Sequence, residues 1–265
     1  MKADTALDGR VALVTGGSRG IGRAIALGLA ADGADVAVNY RRDQEAAAAT
    51  VKEIEGLDRQ ARAYAGDVGS LDDARAMVAA AVADFGFIDI LVNNAGIASR
   101  GQSVADTEPE ELERVVRTHA LGAHHLCQAV LPSMRTRPRG DIVMISSTLG
   151  RDHPRGGAPY AMGKAALEAL AFTLANEERG HGIHVNVVAP GLVDTDMGRR
   201  LARATVGAED IRELDARSPF GRVCRPEDVA GVVCFLVSAA AGYLTGQKIY
   251  VDGGRQSFME GTARQ

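Results

Sequence analysis

Cysteine is scarce, with only Cys127, Cys224 and Cys234 in 265 residues. Odd in number, far apart and without a Cys-x-x-Cys pair, they exclude a disulfide scaffold and argue against zinc or thiol redox chemistry. They read as reduced thiols in a cytoplasmic protein. An excess of either charge is also lacking: 30 Lys plus Arg stand against 34 Asp plus Glu, a net charge of −4. That balance argues against nucleic acid as the main partner. The apolar uncharged stretch at residues 229–244 is shorter than the roughly 20 residues of a membrane span, and residues 1–8 carry no apolar leader core. The expectation is therefore a cytoplasmic protein with no membrane partner. His124, His125, His153, His181 and His184 show no metal-ligand spacing, so no metal is expected. No Pro/Gly/Ser-rich linker, charge block or internal repeat divides the chain.

What is present is ordinary globular composition, 46% hydrophobic and 24% charged, in a repeating order. Short β-branched apolar runs fall at residues 11–15, 35–40, 88–93, 141–146, 183–188 and 248–251. They read as strands buried on both faces. Ala-rich segments of helical length lie between them, at 22–31, 43–55, 71–85, 109–134, 160–179 and 226–239. This alternation predicts an α/β Rossmann fold: one doubly wound, mainly parallel sheet of about seven strands, helices on both faces, and a single domain over 1–265. Residues 192–222 lack the strand pattern and carry many charges, so they are expected to form a helical lid over the carboxyl edge of the sheet, where such folds bind ligands.

The first run ends in Thr15-Gly-Gly-Ser-Arg-Gly-Ile-Gly22 and enters a helix. Glycines at a strand-to-helix turn let backbone approach a pyrophosphate, and the helix N-terminus stabilises its charge. Gly16, Ser18, Arg19, Gly20, Ile21 and Gly22 are thus candidate dinucleotide contacts. The second run ends in Tyr40-Arg41-Arg42. With Arg19 these arginines form a guanidinium cluster suited to a 2′-phosphate, so the reading is NADP(H). Asp43 follows directly, about where a ribose-binding acid would stand, and keeps NAD(H) open.

Tyr160 and Lys164 lie at i and i+4 at the start of a predicted helix, on one face. A phenol beside a cation is a proton donor whose pKa, near ~10 when free, is lowered toward working pH. The chain has four lysines against 26 arginines, which makes this pairing more informative. Ser147 follows the strand at 141–146, where its hydroxyl can donate to a carbonyl.

In Thr15–Gly22, Asn93-Asn-Ala95-Gly96, Ser147, Tyr160-x-x-x-Lys164 and Pro190-Gly191, the chain resembles the short-chain dehydrogenase/reductase superfamily from about residue 9 to 254. The likeness is strongest to 3-oxoacyl-carrier-protein reductases and related carbonyl reductases. The resemblance implies NAD(P)-linked interconversion of a carbonyl and an alcohol, usually in a homotetramer. By motif, Tyr160 is the proton donor, Ser147 holds the substrate oxygen, and Lys164 binds the nicotinamide ribose. Asn93, Ala95 and Gly96 hold the cofactor beside strand four. Asp67 and Val68 contact the adenine, while Val193 and Thr195, after Pro190 and Gly191, contact carboxamide and diphosphate. Where the family carries an asparagine, this chain has His119. An imidazole titrating near pH ~6.5 would keep hydrogen-bonding capacity and add a pH dependence.

The leading function is NADPH-dependent reduction of a 3-oxoacyl thioester. Sugar or secondary-alcohol dehydrogenation uses the same residues and remains open. A non-catalytic NADP(H) sensor is a third class, motivated by His119 and the basic loops. Arg135, Arg137, Arg139 and Arg179 flank helix ends and offer an acyl carrier protein a basic face.

Overall fold

In the computed structural model, which describes residues 6–254, seven strands form: β1 Val11–Val14, β2 Asp35–Tyr40, β3 Ala61–Ala65, β4 Ile90–Asn93, β5 Gly140–Ile145, β6 Ile183–Pro190 and β7 Lys248–Val251. The outer ends of the 1–265 range, residues 1–5 and 255–265, and with them most of the segment searched for a leader core, lie outside the described residues. All strands pair in parallel in the order β3-β2-β1-β4-β5-β6-β7. Six of them are the apolar runs. In these strands alternate residues enter different cores: Ala12, Val14, Ile90, Val92, Val143 and Ile145 face one layer, Leu13, Leu91, Ile142 and Met144 the other. With both faces covered, a strand must be apolar throughout. β3 escaped that search because it is an edge strand with only Ala61 and Tyr64 buried.

Helices α1 Gly20–Ala31, α2 Gln44–Glu55 and α3 Leu71–Phe85 follow the first three strands. The Asp43 side chain caps α2 by accepting from the Ala46 N–H at 3.0 Å, and Ser70 caps α3. The segment at 109–134 is interrupted: α4 Pro109–Val116 and α5 Gly122–Met134 join through a π-helical turn, Arg117–Leu121. Such a wide turn re-aims side chains and often marks a functional site; here it carries the buried His119. The remaining helices are α6 Leu149–Asp152, α7 Ala158–Glu178, α8 Asp196–Val206 and α9 Pro226–Val237. Helices α1 and α9 cover one face; α3, α5 and α7 cover the other. No helix among the described residues is long and apolar enough to cross a membrane.

At the amino edge of the sheet, buried acids collect the arginines. Asp141 is held by Arg10 at 2.7 Å and Arg139 at 2.9 Å, Asp89 by Arg137 at 2.7 Å, and Glu178 by Arg135 at 2.5 Å. Burial still pushes the Asp141 carboxyl up despite its two guanidinium partners. Three of the four arginines read as a carrier-docking face are thus neutralised. Arg137 and Arg139, with their partners Asp89 and Asp141, also stand at the strand ends opposite the glycine loop. The basic face expected there is corrected accordingly.

Candidate active site

The strand order reverses between β1 and β4, which opens a crevice at their carboxyl ends. Two loops meet there. The buried Thr15 hydroxyl donates to the Val92 carbonyl at 3.1 Å and accepts from the N–H groups of Asn94 at 2.9 Å and Ala95 at 3.0 Å. The Asn94 amide donates to the Thr15 carbonyl at 2.8 Å and the Gly16 carbonyl at 3.3 Å. From the other side, Asn39 of β2 accepts from Gly16 N–H on its side chain at 3.2 Å and from Gly17 N–H on its backbone at 2.9 Å. Asn39 and Asn94 therefore pin the glycine loop, and the motif reading singled out neither. Asn94 stood in plain view in the quoted Asn-Asn-Ala-Gly; Asn39 was signalled only as a polar residue inside an apolar run.

Asn93 does not hold this loop. As the last residue of β4 it shares the face of Leu91, and its amide lies against Cys127 and Met144, with its carbonyl oxygen buried without a protein partner. Strand alternation turns Asn93 inward and leaves the loop to Asn94.

The loop fits a pyrophosphate. Gly16 and Gly20 take φ of +59° and +54°, and a Cβ on Gly22 would stand 2.2 Å from the Gly16 carbonyl oxygen. No side chain caps the N-terminus of α1, and no acid sits in its first turn, so its N–H groups face the crevice without an internal acceptor. Ser18 is buried in the loop, and Ile21 packs against the core below. Thr195 stands over Gly20 and caps α8, accepting from Gly198 N–H at 3.0 Å. Pro190 and Gly191 end β6, and the Pro190 carbonyl accepts from Thr148 N–H at 2.9 Å. Val193 is buried beyond them and bridges to Cys224. Beside the far end of the crevice, Arg19, Arg41 and Arg42 are exposed after β1 and β2, with Tyr40 half-buried. Arg41 pairs with Asp67 at 3.3 Å, and Val68 is buried against Gly122.

The catalytic candidates converge from β5 and α7. Ser147, buried two residues past β5, is hydrogen-bonded to the Tyr160 phenol. Burial pushes that phenol up to about 12, against the lowering effect of Ser147. The expected depression by Lys164 is therefore corrected: the ammonium lies 5.6 Å from the ring centroid and donates to the Ile145 carbonyl at 2.7 Å. Burial lowers Lys164 itself to about 7, with the Glu168 carboxylate opposing.

His119 packs edge-on to Tyr160, ring centroids 5.0 Å apart. Its Nε2 lies 2.8 Å from the Ile97 carbonyl and 3.3 Å from the Ile97 N–H; the shorter contact needs a proton on Nε2, and on that assignment Nδ1 is a buried acceptor without a protein partner. Gly96 is required beside it, since a Cβ there would stand 2.5 Å from the imidazole Cε1. Burial, then the Lys164 charge, lowers His119 to about 3. The pH dependence near 6.5 expected from the sequence is thus removed: a buried imidazole stays neutral through the working range.

A cleft of about 220 Å³ opens next to Ser147, lined by Thr148, Asp152, Leu192, Phe220, Arg222 and Asp252 among others. Of the charged segment after Gly191, Leu192, the short helical turn Pro219–Gly221 and the residues just after it form one wall, while α8 and the turn at Ile211–Arg217 lie outside the lining. The contribution of residues 251–253, at the end of β7 and just after it, carries no sequence signal as a pocket wall.

Comparison with known proteins agrees with this architecture. The profile of the family described as Enoyl-(Acyl carrier protein) reductase matches residues 16–256. The chain is 38% identical to 3-oxoacyl-(acyl-carrier-protein) reductase FabG of Staphylococcus aureus, over 92% of this chain and 96% of the relative. It is also 38% identical to L-rhamnose 1-dehydrogenase (NAD(P)(+)) of a Sphingomonas species, over 94% and 96%. A short-chain dehydrogenase from Burkholderia cenocepacia, solved in complex with NADP, superposes with a TM-score of 0.85 at 38% identity, covering 94% of this chain and 98% of that one. With the parallel seven-stranded sheet, the glycine loop and the Ser147–Tyr160–Lys164 group in place, the chain belongs to the short-chain dehydrogenase/reductase family.

Proposed function

We propose that this chain is an NADPH-dependent carbonyl reductase acting on a 3-oxoacyl thioester. The observation that carries this reading is the convergence of the Ser147 hydroxyl and a protonated Tyr160 phenol at the carboxyl edge of the sheet, the edge that also carries the uncapped N-terminus of α1. A nicotinamide held there supplies the hydride. Residues of the glycine loop would hold its pyrophosphate, Asp67 and Val68 its adenine, Val193 and Thr195 its carboxamide and diphosphate, and Lys164 its ribose. Arg19, Arg41 and Arg42 would take the 2′-phosphate. Asp43 caps α2 through one carboxylate oxygen, which supports NADP(H) over a reading of Asp43 as a ribose acid. The neighbour from Burkholderia cenocepacia, solved with NADP, supports it too.

Tyr160 donates its proton to the substrate oxygen. Ser147 donates a hydrogen bond to that same oxygen, so negative charge developing on it meets two fixed donors. His119, neutral and anchored to Ile97, holds the edge of the Tyr160 ring. Residues 192–222 close the cleft as a lid. The similarity to FabG supports a thioester, delivered by an acyl carrier protein at the carboxyl edge rather than at the paired arginines. Exposed Leu121, Met162 and Phe172 support a homotetramer, and the family resemblance a cytoplasmic one.

A sugar or secondary-alcohol dehydrogenase is the second reading, favoured by the equal identity to L-rhamnose 1-dehydrogenase and by the charged lining of the cleft. Initial rates of NADPH and NADH oxidation with a short 3-oxoacyl thioester and a panel of ketones, and of NADP⁺ reduction with sugars, separate the two. NADPH-specific thioester reduction is the expected result. Activity confined to sugars or simple ketones overturns the thioester assignment, and NADH preference overturns the arginine cluster.

A further inference from the structure

The end of β5 meets α7 in three rungs. Ser147 bonds Tyr160, the Ile145 carbonyl accepts from Lys164 Nζ at 2.7 Å, and the Ser146 hydroxyl donates to Glu168 Oε1 at 2.5 Å. Tyr160, Lys164 and Glu168 are spaced at i, i+4 and i+8, one face of the helix, opposite three consecutive residues of the strand end. The first two rungs belong to the site described above. The third does not, and its acid is unusual: the Glu168 side chain is only 13% exposed and is also held by Lys248 Nζ of β7 at 2.7 Å. The backbone beyond Ser147 closes over it, since a Cβ on Gly150 would stand 3.3 Å from Glu168 Oε1 and 3.5 Å from Lys164 Cβ.

We propose that Glu168 is a positioning residue of this site, the carboxylate that ties the end of β5 to α7 and supplies the counter-charge for the buried Lys164 ammonium. It rests on the reductase reading for its consequence in turnover, but its physical content does not depend on any substrate. The groups facing Lys164 are Tyr160 and Glu168 of α7 and His119 of the π-helical turn. Those facing Glu168 are Ser146 and Lys248. Behind Lys248 the Tyr250 ring lies 4.8 Å from its Nζ and 4.5 Å from the Arg151 guanidinium, and Arg151 pairs with Asp152 and Asp252. Glu168 is the one carboxylate among the groups facing Lys164. Desolvation disfavours a buried ammonium, and an acid one helical turn away favours it.

The chain has four lysines, so uniformly ¹³Cε-labelled lysine yields a sparse spectrum in which Lys164 is assigned from a Lys164→Met sample. In the wild-type protein the Lys164 signal is expected to titrate well below the other lysines. Glu168→Gln keeps an acceptor for Ser146 while removing charge, and is expected to lower the Lys164 midpoint by roughly one pH unit or more. Lys248→Met removes a cation that neutralises Glu168 and is expected to move the midpoint in the opposite direction. The basic limb of the kcat/KM profile follows each shift. Unmoved midpoints in both variants, or shifts of the same sign, overturn the proposal. Shifted midpoints in a protein that turns over no carbonyl substrate leave Glu168 as assigned and overturn the reductase reading instead.

Discussion

Lowering the pH from 8 to 5 should cost the folded protein about 2 kcal/mol through His119 alone. The imidazole titrates near pH 6.5 in an unfolded chain and near about 3 in the fold, where burial and the Lys164 charge oppose protonation. A folded pKa below the unfolded one means that the unfolded state binds the proton first as pH falls. The contribution is therefore fully present above pH 6.5 and is lost progressively between 6.5 and 3. At pH 5 about 1.5 units of that window have been crossed, at about 1.4 kcal/mol each, hence the estimate. His119→Asn removes the titrating group and keeps an amide able to reach the Ile97 backbone. Denaturant unfolding at both pH values, at one fixed protein concentration, should show the variant losing less stability than wild type by about 2 kcal/mol. Equal losses would refute the buried, neutral, Nε2-protonated imidazole. The same variant should keep or exceed wild-type turnover, because a neutral hydrogen-bonding side chain is all the site asks of position 119; complete loss would show that the imidazole is itself needed.

Three further outcomes follow from the geometry. Tyr160→Phe removes the phenolic proton placed beside Ser147 and should lower kcat by about 10²- to 10⁴-fold while cofactor affinity, read by fluorescence titration, is retained; unchanged turnover would overturn the proton-donor role. Gly22→Ala places a methyl 2.2 Å from the Gly16 carbonyl oxygen and should weaken NADPH binding at least about tenfold by displacing the loop, with circular dichroism unchanged. Wild-type affinity in that variant would mean the pyrophosphate sits elsewhere. Replacing Arg41 and Arg42 together by Ala should reduce the kcat/KM preference for NADPH over NADH by roughly 10- to 100-fold through lost charge-assisted hydrogen bonds, and an unaltered ratio would return the arginines to the solvated surface.

The fold was legible because a sheet covered on both faces leaves its strands no polar positions to hide behind. Runs such as 88–93 and 141–146 could be seen without any partner. β3 could not, since an edge strand with Ala61 and Tyr64 as its only buried residues looks like a loop. The break in the segment 109–134 was also invisible: nothing in Arg-Thr-His-Ala-Leu distinguishes a π-helical turn from continuous helix, because the difference lies in backbone hydrogen bonding. Among site residues, those with a spacing rule were found, and Asn39, Asn94 and Glu168 were not. Their work is done by hydrogen bonds to residues 22 to 79 positions away, and an asparagine or glutamate in a sequence looks the same whether it pins a loop or faces water.

The linear order of residues carries the chemical groups and their succession: a glycine turn after the first strand, a serine after the fifth, a tyrosine and lysine one helical turn apart. Local spacing and burial patterns encode these because they depend on periods of 2 and 3.6 residues. Their charge states depend on the folded surroundings. Desolvation holds Tyr160 high, Lys164 low and His119 neutral, reversing the expectation drawn for Tyr160 from its neighbour Lys164 and that drawn for His119 from a free imidazole. Desolvation is a property of everything packed around a group, and that packing is assembled from β4, β5, the π-helical turn and α7 only once the chain has folded.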